Sequence, residues 1–444
     1  MSRYTADYKS IIRLAVPILA GQLGNIVVGF ADNIMVGQYK TAAFAAVGFV
    51  NNVFNIVLLA VLGFTFGLTP IVGAMFAREE KSAIGATMRS GLYVNVVYAL
   101  LMTAVMGVIY FYVDRFGQPA HLLPYIRPYY LIYLAGLLPV CVFNVFAQWS
   151  YAIGNTRLPM AIILTANVLN IAGNYVLIFG KCGFPELGIV GAGLSTLFAR
   201  LFTAAVIVAV FFFSRRYKDY SVSFRSSRID RARSRNVLET GFPVSMQSAF
   251  ETAAFSGAAV MAGWISTESL AAFQIILITG TLGFCIYYSF GSATAVLVSH
   301  AAGLHDTHGM RRVAWAGYHV MLVVMSCSCL VFLLWGRDIM GFFSNDAGVT
   351  RLAGTLIFPL LLYQIADATQ INFVSALRGT SRVRPMLMIA FVSYIVLGLP
   401  STYFFSETLG MDLYGIVLSF SVSLVCAAIL FLYYFLRATR SPQR

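Results

Sequence analysis

Three carboxylate side chains interrupt long apolar stretches of the sequence: Asp32, Glu251 and Asp367. Nearly all of the other acidic residues, from a total of 17, fall between such stretches. An ionised carboxylate at the centre of a bilayer costs at least about 2.5 to 3.5 kcal/mol, so each group must be protonated, paired or hydrated. We interpret the three acids as groups that bind a cation or a proton. The alternative is that they are protonated hydrogen-bonding groups that hold helices together.

Polar residues accompany the acid of the first half at helical spacing. Asn25 and Asp32 share one helical face, and a separate apolar stretch presents Asn167, Asn170 and Asn174 on one face. Such amides often serve helix packing. Beside an intramembrane carboxylate, however, they indicate a binding site.

The second half has its own polar stripes. Gln247 lies one turn before Glu251, while Tyr363, Asp367 and Gln370 follow one face of a later stretch. Oxygen-bearing side chains next to a carboxylate suit a hard cation such as Na⁺, and the same set suits a proton. The sequence therefore leaves the choice of ion open.

The apolar stretches that carry these residues predict membrane-spanning helices. Hydrophobic residues make up 59% of the 444 residues and charged residues only 11%, which excludes a soluble protein. Strand-like alternation is absent, and each stretch is long enough to cross a bilayer. The twelve stretches are 14–36, 46–77, 90–113, 125–150, 159–180, 187–213, 237–264, 270–299, 313–336, 352–377, 385–405 and 413–436.

The Lys and Arg residues predict the orientation of these helices. With a cytoplasmic N-terminus, 23 of the 30 fall on the cytoplasmic side and six on the outer side, and Arg200 lies within a stretch. Basic residues in short loops stay cytoplasmic, so we predict that both termini are inside. The basic run 215–235 then faces anionic lipid headgroups and is not a nucleic-acid site.

The two halves of the chain are related by an internal duplication. An offset of 226 residues pairs Pro17 with Pro243 and Gly37 with Gly263 without a gap. Each half holds six predicted helices, so both halves enter the membrane from the same side. We predict an all-α polytopic membrane protein with twelve transmembrane helices in two pseudo-symmetric six-helix lobes. The predicted parts are an N-terminal lobe at 1–213, a linker at 214–236 and a C-terminal lobe at 237–444.

The acids are not copies of one another within this duplication. At the same offset, Asp32 aligns with Ala258, and Glu251 aligns with Asn25. Each lobe acquired its carboxylate separately. We therefore expect the two lobes to have different roles.

These features resemble the multidrug and toxic compound extrusion (MATE) family of transporters, and within it the NorM-like type. The resemblance covers essentially the whole chain. It rests on the two six-helix lobes, the Pro17 to Asp32 spacing, the glycine-rich segments near Gly37 and Gly263, the turns Gly154-Asn-Thr-Arg157 and Gly379-Thr-Ser-Arg382, and the acids of the seventh and tenth stretches.

The resemblance implies a coupling-cation site in the second lobe and a cation or substrate site in the first. It assigns Glu251, Asp367 and Tyr363 to the second-lobe site, with Na⁺ as a possible metal ion at the two carboxylates. It assigns Asp32, Asn170, Asn174 and Thr196 to the first-lobe site, which Asn25 joins by its position on the face of Asp32. Asn174 stands where some relatives carry a second Asp.

The resemblance further implies a secondary antiporter, not an enzyme. It would export amphipathic organic cations such as drugs, dyes and toxic metabolites in exchange for Na⁺ or H⁺. The main alternative is a lipid-linked oligosaccharide flippase of the same broader superfamily, which would need basic side chains to meet pyrophosphate, whereas Arg200 is the only Lys or Arg in the interior of a stretch. An intramembrane protease or a channel is disfavoured, because neither a Gly-x-Gly-Asp sequence nor a pore-loop motif is present.

No cofactor is expected beyond the coupling ion, because the sequence lacks the Gly-x-x-x-x-Gly-Lys-Ser/Thr phosphate-binding loop. The expected partners are small organic cations and membrane lipids, with no nucleic acid. We expect a monomer that passes many times through the cell membrane, with both termini cytoplasmic, in the inner membrane of a prokaryotic cell.

The orientation can be tested by labelling single cysteines in a cysteine-free background with a reagent that does not cross the membrane. Cysteines within 215–235 should react only from the cytoplasmic side, and those near Lys181 only from outside. The reverse pattern would overturn the predicted topology.

Overall fold

The chain is built almost entirely from α-helices. The computed structural model describes residues 3–343 and 346–440, and it contains no strand in those ranges. The first half holds α1 (Arg3–Tyr39), α2 (Thr41–Phe66), α3 (Leu68–Ala77), α4 (Lys81–Tyr110), α5 (Leu123–Ala135), α6 (Leu137–Ala152), α7 (Arg157–Phe179), α8 (Gly188–Phe213) and α9 (Lys218–Ser226). The second half holds α10 (Arg231–Ile265), α11 (Thr267–Gly303), α12 (Thr307–Phe343), α13 (Ala347–Thr355), α14 (Ile357–Gly379), α15 (Arg384–Ala390), α16 (Leu399–Tyr403) and α17 (Asp412–Ala438). The predicted all-α class is confirmed.

Each of the twelve predicted stretches overlaps one helix or one consecutive run of helices. Within the described ranges, ten spans are long and apolar enough to cross a membrane, and an eleventh forms if α13 and α14, bent by 51° where they meet, count as one. The remaining stretch, 237–264, lies in α10. Its polar side chains, which include Gln247 and Glu251, lower the hydropathy of this helix.

The outer surface of the helices is strongly apolar. Large side chains that face outward include Phe213, Ile429 and Val27, which are 80%, 62% and 60% exposed. A soluble protein seldom exposes contiguous apolar surface on this scale, whereas a bilayer covers it. The protein is therefore a multi-pass membrane protein.

Two compact units divide the chain. The N-unit comprises Ala20–Ser245, and the C-unit comprises Met1–Leu19 with Met246–Arg444. The two boundaries follow Pro17 and Pro243, which lie inside α1 and α10. Proline removes one backbone hydrogen bond from a helix, so each long helix has a natural site of bending there.

The first part of α10, up to Ser245, packs within the N-unit. The Ser245 hydroxyl donates to the backbone oxygen of Ala60 at 2.8 Å and lies 2.7 Å from the hydroxyl of Tyr98. A Cβ atom added at Gly67 would lie only 2.6 Å from the Cα atom of Gly241, so two helix backbones meet closely here.

The segment before Pro17 packs within the C-unit in a different way. The guanidinium of Arg312 forms an ion pair with Asp7 at 2.6 Å. The hydroxyl of Tyr8 lies 2.9 Å from Nδ1 of His319. Polar side chains therefore hold the first part of α1 against α12.

Helix α9 lies in the basic region that the sequence marks as a linker. Fully buried Trp149 packs edge-on against Tyr217 at 4.9 Å and Tyr220 at 5.8 Å between ring centroids. Burial raises the pKa of the Tyr220 hydroxyl. Aromatic packing therefore anchors this short helix to the N-unit.

The Gly67–Gly241 contact generates a stability prediction. Gly67→Ala would press its Cβ atom against helix backbone, and overpacking of this kind costs about 1 to 3 kcal/mol. We expect a lower melting temperature of the purified protein. The matched control is Gly48→Ala, because no atom lies within 4 Å of an added Cβ there. Equal melting temperatures for the two variants would refute the close contact.

Candidate cation-binding sites

The carboxylate of Asp32 on α1 is held by two amides from α7. Asn174 donates a hydrogen bond from Nδ2 to Oδ1 of Asp32. Asn170, with its amide nitrogen turned towards Asp32, donates to the same oxygen at 2.8 Å. Both asparagines are buried, at 3% exposure for Asn170 and 0% for Asn174, while Asp32 is partly exposed. The structure therefore brings together three of the predicted residues of the first-lobe site.

Close packing of α7 and α8 adds Thr196 to this group. In the same orientation, the side-chain oxygen of Asn170 accepts from the backbone N–H of Thr196 at 3.2 Å. The hydroxyl of Ser195 donates to the backbone oxygen of Asn170 at 2.8 Å. Gly173 permits this approach, because a Cβ atom there would lie 2.5 Å from Oγ of Ser195.

A basic residue, Arg200, also belongs to the surroundings of Asp32. Its guanidinium lies 4.1 Å from the centre of the Tyr133 ring and within electrostatic range of Asp32. In the part of the chain that the structure describes, Nη1 of Arg200 is buried without a hydrogen-bond partner. The sequence showed Arg200 only as a charge within a stretch. Its position one turn after Thr196 was the signal that could have placed it near the site.

Asn25 and Asn167 do not join the hydrogen bonds around Asp32. The side chain of Asn25 is exposed and, among the described residues, makes no hydrogen bond to the carboxylate. Asn167 faces Gly24 instead, where an added Cβ atom would lie 2.9 Å from its Nδ2 atom. Of the three asparagines on this face of α7, Asn170 and Asn174 therefore belong to the site, whereas Asn167 contributes to helix packing.

In the C-unit, Glu251 on α10 ends a chain of neutral hydrogen-bonding groups. Gln247 donates from Nε2 to the Glu251 carboxylate at 2.6 Å, and the hydroxyl of Tyr394 also hydrogen-bonds to this carboxylate. Gln370 on α14 donates from Nε2 to the Tyr394 oxygen at 2.9 Å. These contacts join three helical segments around one acid.

The sequence reasoning did not identify Tyr394. This residue lies in a π-helical segment, Phe391–Gly398, directly before α16, which contains Pro400. A wide π-turn changes the direction of the side chains that follow it and is frequent at functional sites. The proline was the only sequence signal for an irregular turn here.

Asp367 and Tyr363 lie on α14 near Glu251. Both are buried, with exposures of 2% and 7%, and Asp367 lies within electrostatic range of Glu251. Among the described residues, Oδ2 of Asp367 has no hydrogen-bond partner. The ring of Tyr363 packs against Phe255 and Phe420, at 6.1 and 6.0 Å between centroids. The structure therefore places the three predicted residues of the second-lobe site in one region.

The two regions share one chemical plan. Each presents a carboxylate that accepts hydrogen bonds from neutral amides or a hydroxyl, and among the described residues none of the three acids forms an ion pair. No group of three or more His, Cys, Asp or Glu side chains that could hold a metal ion occurs within the described ranges. A bound cation or proton would have to compete with the amide donors for the same oxygens.

Comparison with known proteins identifies the family. The model of the MatE family matches residues 17–176 and 243–404, one match in each half of the duplication. The chain belongs to the MatE family. The resemblance inferred from the sequence is confirmed, and membership of this family makes the protein a transport protein and not an enzyme.

Bacterial relatives of the MatE family align over nearly the full chain. The "Probable multidrug resistance protein NorM" of Bacillus subtilis strain 168 is 28% identical, with 95% of this chain and 93% of the relative covered. The protein of the same name from Bradyrhizobium diazoefficiens is also 28% identical and covers 98% of this chain and 94% of its own.

Solved structures show the same fold. A eukaryotic MATE transporter, AtDTX14, has a TM-score of 0.88 at 15% identity and covers 99% of this chain and 98% of its own. An outward-facing multidrug resistance MATE transporter has a TM-score of 0.86 at 19% identity, with 97% and 96% covered. This chain and the two solved transporters share one fold, which is compatible with twelve transmembrane helices.

The hydrogen-bond chain around Glu251 generates a prediction about Tyr394. Tyr394→Phe removes the hydroxyl between Glu251 and Gln370 and leaves both groups with an unmet hydrogen bond, which costs about 1 to 3 kcal/mol for a buried polar group. We expect a lower melting temperature and an altered affinity for a bound cation, Na⁺ or H⁺, measured on the purified protein. The control is Tyr403→Phe, because Tyr403 is 54% exposed. If both variants retained the wild-type melting temperature and ion affinity, Tyr394 would not support the site.

Proposed function

We propose that this protein is a multidrug efflux transporter, a secondary antiporter that exports amphipathic organic cations in exchange for Na⁺ or H⁺. The observation that carries the proposal is the acid pair of the C-unit: Glu251 accepts a hydrogen bond from a neutral amide, and the buried Oδ2 atom of Asp367 has no hydrogen-bond partner among the described residues. The names of the bacterial relatives, multidrug resistance proteins, support the same class of cargo.

The charge of the site argues for a cationic cargo and a cationic coupling ion. A carboxylate held only by neutral donors attracts positive charge in a medium of low dielectric constant. The buried Oδ2 atom of Asp367 has no hydrogen-bond partner among the described residues, so it is free to accept an ion or a proton. The same charge would repel an anionic lipid-linked pyrophosphate.

Transport follows from competition between ion and cargo. A cation or proton that enters on Glu251 and Asp367 stabilises one conformation of the transporter, and the cargo leaves from that conformation. One charge that moves inward across the membrane contributes about 2.3 kcal/mol per 100 mV. To shift a two-state equilibrium from 1:99 to 99:1, a ligand must favour one state by about 5.5 kcal/mol.

The two acidic regions differ in a way that favours different roles. Glu251 and Asp367 can share one cation, whereas Asp32 has neutral amide donors and lies in the field of Arg200. We assign the obligatory coupling site to the C-unit. Asp32, with Asn170, Asn174 and Thr196, is assigned to the modulation of substrate release.

The membrane setting is part of the proposal. The protein would act as a monomer in the inner membrane of a prokaryotic cell, with both termini in the cytoplasm and no ATP-binding site. Export would then be driven only by the inward flow of the coupling ion down its gradient and the membrane potential.

The coupling ion can be determined with purified protein in lipid vesicles. Ethidium transport is measured while a Na⁺ gradient and a pH gradient are imposed separately. Transport driven by one gradient identifies the ion. Transport that neither gradient accelerates would refute antiport.

Neutral substitutions separate the roles of the acids. Glu251→Gln and Asp367→Asn should each abolish ion-driven export and lose binding of the coupling ion, because a charged ligand is removed at little steric cost. Asp32→Asn should retain measurable ion binding but slow turnover. The measurements are ethidium export from vesicles and ion binding by calorimetry.

Matched controls are available in both units. Glu407→Gln in the C-unit and Glu186→Gln in the N-unit change exposed acids and should leave export unchanged. If ion binding were lost with Asp32→Asn and kept with Asp367→Asn, the assignment of the two units would be inverted. Wild-type export by both Glu251→Gln and Asp367→Asn would refute the coupling site.

A further inference from the structure

An open groove of about 550 Å³ lies on the N-unit where α4, α8 and α9 meet. Two arginines, Arg89 and Arg225, stand in its wall beside aromatic and aliphatic side chains, and no acidic residue lines it. It contains none of the residues assigned to cation binding.

The helices α4 and α9, which both contribute residues to the groove, are in close contact. The hydroxyl of Ser223 on α9 donates to the backbone oxygen of Ser82 at 2.5 Å. Gly85 on α4 permits this approach, because an added Cβ atom would overlap the backbone oxygen of Tyr220. The groove therefore has a defined shape.

Arg89 links the end of α9 to α4 and keeps part of its guanidinium available. Its Nη1 atom donates to the backbone oxygens of Arg225 at 2.9 Å and Phe224 at 3.2 Å, and also to that of Ser227. In the described part of the chain, the Nε and Nη2 atoms make no hydrogen bond. A planar guanidinium with free donors is suited to a phosphate group.

Arg225 supplies the second positive charge. Its guanidinium lies 5.0 Å from the centre of the Phe212 ring, and its side chain is exposed. Among the described residues, neither Arg225 nor Arg89 forms an ion pair with a carboxylate. The nearby acid Asp219 is instead paired with Lys81 at 3.0 Å.

The remaining walls of the groove are apolar and face outward. Phe213 is 80% exposed and Tyr93 is 50% exposed. On α4, Leu92 and Val96 follow Arg89 along the same side of the helix towards the apolar part of the span. The two arginine side chains thus lie next to an apolar strip of the surface that faces lipid.

We propose that this groove binds one anionic phospholipid, with its phosphate at Arg89 and Arg225 and an acyl chain along Val96 and Phe213. The charges decide for an anionic lipid, because two arginines and no acidic residue line the groove. A zwitterionic lipid would bring its own cation into this field. The bound lipid bridges α4, α8 and α9 and so fixes the linker helix. This inference does not depend on the proposed transport activity.

The binding is tested on the full-length protein in detergent, titrated with phosphatidylglycerol, phosphatidylcholine or inorganic phosphate. Bound lipid is counted by native mass spectrometry, and the melting temperature is followed in parallel. Phosphatidylglycerol should bind and raise the melting temperature, while phosphatidylcholine and inorganic phosphate should not. Equal effects of phosphatidylcholine, or of phosphate alone, would overturn the proposal.

Two pairs of variants locate the lipid. Arg225→Gln should weaken phosphatidylglycerol binding roughly fivefold, the contribution of one basic residue near a membrane surface, while Arg228→Gln outside the groove should not. Val96→Trp should fill the groove and reduce binding without any change of charge. Its control is Val97→Trp, which places the same ring on a neighbouring exposed position. If either control reduced binding as much as its partner, the lipid would not occupy this groove.

Discussion

The interior of a bilayer offers no water to polar groups, and this constraint governs the whole molecule. Each polar side chain of a span must find its partners within the protein, because an unmet hydrogen bond in hydrocarbon costs several kcal/mol. The helices satisfy the hydrogen bonds of the backbone, and the few polar side chains form hydrogen bonds with one another. The group around Glu251 consists of Gln247, Tyr394 and Gln370, and the group around Asp32 is a pair of asparagines. At the candidate sites, neutral hydrogen-bond donors therefore stabilise a carboxylate in a medium of low dielectric constant.

Close packing of the helices brings these polar side chains together. On the N-unit side, Gly173 lets α8 approach α7 until Ser195 reaches a backbone oxygen. In the C-unit, Gly291 of α11 meets Ser375 of α14, where an added Cβ atom would lie 2.7 Å from the hydroxyl oxygen. Helices in membranes associate through such small residues, since apolar side chains gain little by leaving lipid for protein. The same glycines that read as simple packing residues therefore set the distances between the polar groups.

The internal duplication is visible in how the chain is divided as well as in its residues. The units begin at Ala20 and Met246, which are separated by the same 226 residues that relate the two repeats. Each boundary lies shortly after the proline that the repeats share. The contacts on either side nevertheless differ, with an ion pair at Arg312 in one unit and a hydroxyl pair at Ser245 in the other. The two repeats therefore share a backbone arrangement but differ in their polar side chains, as the unmatched positions of Asp32 and Glu251 already indicated.

The sequence alone determined the class of the protein, the twelve helical stretches, the duplication and the identity of the acids. These follow from local properties: apolar length sets a helix in a membrane, and a charge inside such a length stands out against it. Which partners each acid has was decided only by the tertiary structure. Tyr394 reaches Glu251 through a π-turn, and Arg200 reaches the field of Asp32 through the packing of α8, while Asn25 stays outside although it shares the face of Asp32. Helical spacing gives the side of one helix on which a residue lies, but the neighbour that it meets depends on the approach and rotation of another helix, which no single stretch of sequence encodes.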